Sequence, residues 1–73
     1  MNALTLPMDP KFLDARSLND YKNRLSRLST RALRLHAEAR GVDVNAYRDR
    51  QGKIERLPLC ATMWEFYMIA HRA

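Results

Sequence analysis

Apolar residues recur at helical steps through the middle of the chain. Leu18, Tyr21, Leu25, Leu28, Ala32, Leu35, Ala39 and Val42 are separated alternately by three and four positions. This is an a/d stripe held for more than three heptads. It predicts a helix from Leu18 to Arg40 with one face buried. Ser17 is the expected N-cap, with Asp20 three residues on in a near capping box, and Gly41 is the expected C-cap. Ser29 and Thr30 complicate the stretch, because their hydroxyls compete for nearby backbone groups in mid-helix and suit N-cap positions. Two arrangements remain open: one helix of about 24 residues, or two helices broken at Ser29. The undisturbed 3/4 phase favours the single helix.

The second strongly patterned stretch is residues 59–72. Leu59, Met63, Phe66 and Ala70 form one stripe and Cys60, Trp64, Tyr67 and His71 the next, with Met68 and Ile69 extending the apolar surface. Only Glu65 and Arg72 are charged there. A helix this apolar calls for burial on most sides, and the first stripe covers one. A second copy of the chain, or a tight hetero-complex, would cover the rest. The residues expected at this homodimer or partner interface are Leu18, Tyr21, Leu25, Leu28, Leu35, Met63, Trp64, Phe66 and Tyr67.

Between these stretches, residues 42–58 support two readings. Asp49-Arg50-Gln51-Gly52-Lys53 fits a type I turn followed by a left-handed Gly, joining short strands Val44–Arg48 and Lys53–Leu57. Alternatively, Asn45 caps a short helix, Ala46 to Gln51, ended by Gly52. The weak strand propensity of Asp and Arg favours the helix. Pro58 ends whatever precedes it. Upstream, residues 1–8 read as an N-terminal arm, free or laid over a core edge. Asp9-Pro10 reads as a helix start, and Lys11 to Arg16 as a short helix or turn with Phe12 and Leu13 inward. The expectation is therefore a mainly α fold: the arm, then a single small helical domain over 9–73. That domain has a long central helix or helix-turn-helix, an apolar C-terminal helix and a possible short β-hairpin at 44–57.

Charge adds a binding surface to this picture. The 73-residue chain carries a net charge of +5, and its 13 cations are ten arginines and three lysines. Arg forks onto phosphate or carboxylate through paired hydrogen bonds, so the excess points to nucleic acid or an acidic protein surface. Arg24, Arg27, Arg31 and Arg34 repeat the 3/4 spacing beside the apolar stripe, over about 15 Å of a continuous helix. Arg48, Arg50, Lys53 and Arg56 form a second cluster. Only Glu38, four residues after Arg34, is well placed to neutralise the stripe within its own helix.

Catalytic chemistry finds little support. There is no Gly-rich phosphate loop and no Ser-centred nucleophile motif. Cys60 and His71 lack a second pair of ligands to complete a tetrahedral site, so no metal or cofactor is expected. The lone Cys60 reads as a small buried residue in a reducing cytoplasm. No apolar run approaches a membrane span, and the most apolar segment carries almost no Lys or Arg, which disfavours a membrane-surface role.

A family resemblance rests on Ala37-x-x-x-Gly41-Val42, followed by Asn45-Ala46-Tyr47-Arg48 and Arg50-Gln51-Gly52-Lys53. This segment resembles the helix-turn-helix of lambda-repressor-like DNA-binding proteins. The resemblance covers residues 30–66 at most, with Pro58 leading the final helix. It implies that Asn45, Arg48 and Arg50 face the major groove and that Arg31, Arg34 and Lys53 meet phosphates. More loosely, Leu33-Arg34, Ala37 and Arg40-Gly41-Val42 resemble a SAP-type helix-extension-helix module, which also implies DNA. The expected function is thus a small nucleic-acid-binding regulator of bacterial or phage type, with DNA favoured over RNA. It would be cytoplasmic, homodimeric and not an enzyme. The competing class is a small interaction protein that docks its Arg stripe and aromatic C-terminal helix on an acidic protein partner.

Overall fold

The computed structural model describes residues 13–71. Three α-helices, α1 (Leu18–Arg27), α2 (Thr30–Ala39) and α3 (Arg56–Ala70), are joined with a 3₁₀ turn at Val44–Tyr47 between α2 and α3. The domain is mainly helical. Strand pairing among the described residues is limited to one antiparallel bridge, Arg48 with Ile54. No helix among them is long and apolar enough to cross a membrane. The arm at 1–8, the Asp9-Pro10 helix start and Phe12 lie outside the described residues.

The start of α1 follows its sequence signals. Ser17 is extended and its Oγ accepts the Asp20 N–H at 3.1 Å. The Asp20 carboxylate accepts the Arg16 N–H at 3.0 Å, which completes a reciprocal box displaced by one residue. Upstream, Leu13 and Asp14 form a turn with φ of 55° and 54°, a left-handed geometry that side chains rarely adopt.

The single long helix is not formed. Leu28 and Ser29 are both extended, with ψ of 142° and 162°, and Ser29 Oγ caps α2 by accepting the Ala32 N–H at 3.1 Å. Two extended residues reset the helical phase. Beyond the break the buried residues of α2 are Leu33 and Ala37, while Leu35, placed in the stripe by the continuous register, is 51% exposed. Periodicity alone favoured the wrong branch because a 3/4 pattern with Ser and Thr in it does not say where the chain turns. The far end of α2 is as expected. Gly41 has φ +80°, and the N–H groups of Gly41 and Val42 donate to the carbonyls of Glu38 and Ala37 at 3.0 and 3.1 Å, the paired bonds of a Schellman motif.

Helix α3 lies against α1, α2 and the 3₁₀ turn. It starts at Arg56, earlier than expected, so that Pro58 falls in the first turn, where its missing N–H leaves no helical bond unmade. Its Leu59, Cys60, Met63 and Tyr67 join Tyr21, Leu25, Leu33, Ala37, Val42 and Val44 in one core. This corrects the expected interface. Tyr21, Leu25 and Met63 are 0% exposed and Tyr67 is 4% exposed within a single chain, so they have no surface to offer a second one. Two helices and the 3₁₀ turn cover α3 from more than one side, which a single stripe on a straight helix could not do. Leu18, Leu28, Trp64 and Phe66 are half-buried against the same core. Among the described residues, the large apolar side chains left exposed are Leu35, Leu57, Met68 and Ile69.

Candidate nucleic-acid interface

The segment after Gly41 combines features of both sequence readings. The expected helix Ala46–Gln51 is instead the 3₁₀ turn Val44–Tyr47, capped by Asp43, whose Oδ1 accepts the Asn45 N–H. The segment that the helix-turn-helix resemblance assigns to groove reading is therefore one 3₁₀ turn followed by extended chain. The hairpin turn forms. Asp49 N–H donates to Lys53 O at 2.8 Å, Gly52 N–H to Asp49 O at 2.9 Å, and Glu55 N–H to Tyr47 O at 2.7 Å. Gly52 has φ +82°, the left-handed position that the turn type demands. These bonds close a hairpin turn around the single Arg48–Ile54 bridge.

Hydrogen bonds sort the candidate cations into two groups. Arg24 pairs with Asp20 at 3.2 Å and donates to Leu13 O at 2.9 Å, so it ties α1 to the preceding turn. Arg48 donates from Nε to Asn45 Oδ1 at 2.9 Å and from Nη1 to Gly52 O at 2.7 Å, so Arg48 and Asn45 buttress the hairpin. By contrast, Arg27, Arg31, Arg50 and Lys53 are exposed, and their side chains have no hydrogen-bond or ion-pair partner among the described residues. Arg34 is half-buried, with a buried Nε that likewise finds no partner among them.

The break at Ser29 means that the four arginines 24, 27, 31 and 34 do not share one straight helix face. Arg27 ends α1 and Arg31 opens α2, so they flank the corner between the two helices. Arg56, part of the second cluster in the sequence, holds that corner. Its Nη2 donates to Leu28 O at 2.8 Å and Leu25 O at 3.4 Å, and its Nη1 to Thr30 Oγ1 at 3.1 Å. Both carbonyls lie at the end of α1, where Leu25 O also accepts the Leu28 N–H at 3.1 Å. Nothing in the sequence marks this role, because the acceptors lie far upstream of Arg56. Three residues separate Lys53 from Arg56, at most about 11 Å of chain. A short segment of chain therefore joins the hairpin, which carries Arg50 and Lys53, to the residue that holds the α1–α2 corner, which carries Arg27 and Arg31.

The titratable groups of the interior behave differently. Burial holds the Tyr21 phenol well above its ordinary range, against the opposing charge of Arg40. The Tyr21 hydroxyl is hydrogen-bonded to His36 Nε2 at 2.8 Å, and its ring stacks on Tyr67, which stacks in turn on His71. Both histidines thus belong to an aromatic ladder through the fold. Burial likewise raises the Cys60 thiol, with Arg56 opposing. The Asp20 carboxyl is lowered, first by the Arg16 N–H bond and then by Arg24, against some burial.

No family model matches the chain, and no curated protein or solved structure matches it either.

Proposed function

We propose that this protein binds nucleic acid through Arg27, Arg31, Arg50 and Lys53, as a small cytoplasmic regulator of bacterial or phage type. One observation carries the reading: Arg27, Arg31, Arg50 and Lys53 are exposed without partners among the described residues, while Arg24, Arg48 and Arg56 of the same clusters are consumed by internal bonds. Long cationic side chains without internal anions are free to meet phosphates. Neutralising each phosphate releases condensed counterions, so affinity falls steeply with salt. Arg34 supports the reading, since an external acceptor would satisfy its buried Nε.

The exposed apolar side chains of α3 favour a homodimer. Leu57 is 79% exposed and Ile69 54%, and Met68 is exposed beside it. Burying them against a second copy would set two cationic surfaces in one particle. The same side chains support a second reading, in which α3 docks on a partner protein.

An electrophoretic shift with mixed duplex DNA at two salt concentrations tests the reading. The wild type should shift the duplex at low salt. Arg27→Ala/Arg31→Ala should weaken binding and lower the slope of log affinity against log salt by about 2. Both side chains are exposed, so the far-UV circular dichroism of the variant should match the wild type. No shift at low salt overturns the reading. A complex insensitive to salt turns attention to the apolar side chains of α3, whose contacts screen weakly.

A further inference from the structure

We infer that the hairpin tip Arg50-Gln51-Gly52-Lys53 is the part that reads sequence, by entering the major groove of duplex DNA; the inference rests on the nucleic-acid reading above. The tip is exposed, yet hydrogen bonds within the turn hold its backbone. Gln51 N–H and Lys53 N–H both donate to Asp49 Oδ1, at 2.8 and 2.9 Å. Gly52 N–H donates to Asp49 O, and Gly52 O accepts Arg48 Nη1 at 2.7 Å. Arg48 is itself held by Asn45. None of these bonds packs the tip against the core. They fix the directions of Arg50, Gln51 and Lys53 and leave those side chains with no internal task.

Phosphate binding alone does not require such rigidity, since a loose cationic loop meets a charged backbone equally well. Reading base edges does require it, because each hydrogen bond must be aimed, and a tip ordered in advance loses less entropy on binding. The N–H groups of Gln51, Gly52 and Lys53 are spent internally, so the contacts of these residues come chiefly from side chains. Those side chains suit bases: Arg pairs with the guanine edge, and Gln with the adenine edge. Lys53 would reach a flanking phosphate.

Size selects the groove. The major groove of B-form DNA is about 12 Å wide and 8.5 Å deep and admits a two-stranded ribbon, whereas the minor groove is about 6 Å wide. The Asp49–Lys53 hairpin, closed by the single Arg48–Ile54 bridge, is two chain segments wide and suits the wider groove. The major groove of A-form RNA is too deep and narrow to be read this way. Duplex DNA is accordingly the substrate class.

Gln51 provides the test, because replacing it leaves the charge unchanged. Duplex DNA with a randomised centre is selected on the wild-type protein. The affinity for the selected duplex over a scrambled one is then measured for wild type, Gln51→Ala, Arg50→Ala and Arg27→Ala/Arg31→Ala, with a double-stranded RNA of equal length as a further probe. Gln51→Ala should lower the selected-to-scrambled ratio about tenfold with the salt slope unchanged. Arg50→Ala should lower both the ratio and the slope. Arg27→Ala/Arg31→Ala should weaken both duplexes alike. A wild type that selects no sequence, a ratio unmoved by Gln51→Ala and Arg50→Ala, or equal affinity for the RNA duplex overturns the inference while the nucleic-acid reading stands. Absence of binding to every probe overturns both.

Discussion

Along the seam between α1 and α3, Tyr21, Leu25, Leu59 and Met63 are fully buried. At the turn from Asp49 to Lys53 every residue is exposed, and the geometry is set by hydrogen bonds within the turn. The seam is stabilised by removing apolar surface from water, at about 25 cal/mol per Å². Its side chains are consumed by that packing. The turn owes its shape to one carboxylate, one glycine and the Arg48 buttress, and its outward side chains contribute little to holding it. A domain this small has few residues to spare. It meets the demand for stability in one region and leaves the other to present charge.

The largest effect that would test this contrast is in the seam. Leu25→Ala should cost about 2–5 kcal/mol, from lost transfer energy and the cavity left behind. Leu35→Ala, although at a stripe position, should cost under about 1 kcal/mol because Leu35 is half-exposed; Arg50→Ala and Lys53→Ala should stay within about 0.5 kcal/mol. Urea unfolding of the four variants measures the differences. Equal losses for Leu25 and Leu35 would restore the continuous register and remove the break at Ser29.

A smaller effect is expected where the two regions meet. Arg56→Ala removes the bonds to Leu28 O and Thr30 Oγ1 that hold the corner between α1 and α2. The loss should be about 2 kcal/mol, in the range for hydrogen bonds to a charged group. Arg56→Lys should recover only part of it, since an ammonium cannot reproduce the fork that spans Leu28 O and Thr30 Oγ1. Arg27→Ala, one residue from the same corner, should leave stability within about 0.5 kcal/mol. Reversal of the order between Arg56 and Arg27 would exchange their assigned roles.

The smallest effect is pH-dependent. Tyr21 has an ordinary pKa of 10.0 that is raised in the folded state. Its contribution is fully present below pH 10 and is lost as pH rises towards the folded value, because the unfolded chain ionises first. Wild-type stability should therefore fall above pH 10 by up to about 1.4 kcal/mol per pH unit from this group. Tyr21→Phe should cost about 1 kcal/mol at pH 8 through the lost His36 bond, and should decline less steeply between pH 10 and 11. Parallel declines in the two proteins would show that Tyr21 ionises as readily folded as unfolded.

Much of the local structure was legible in advance. Ser17 as cap, Gly41 as terminator and the apolar character of the last helix each follow from residues within a few positions of one another, whereas the left-handed Gly52 belonged to the hairpin reading, which strand propensity disfavoured. The Ser29 break was visible as one of two options, and the phase argument chose the other. The candidate site was legible only as an inventory of cations. Arg24 and Arg48 were counted with Arg27 and Arg50, yet the first two are bonded internally and the second two are not. Asp20, four residues before Arg24, makes the intrahelical pair that the sequence reading reserved for Glu38. The Gly52 carbonyl that occupies Arg48 becomes an acceptor only once the turn has closed.

The sequence by itself determined the helical class, the Ser17 and Gly41 caps and the excess of positive charge, because these depend on composition, backbone propensity and side-chain reach over one or two turns of chain. Tertiary structure decided which apolar residues form the core, where the central stretch bends and which arginines remain available. Those outcomes depend on contacts between residues up to 52 positions apart, such as the Tyr67 hydroxyl donating to Ala15 O, and on Arg56 satisfying carbonyls 28 and 31 positions upstream. Short-range periodicity carries no information about them.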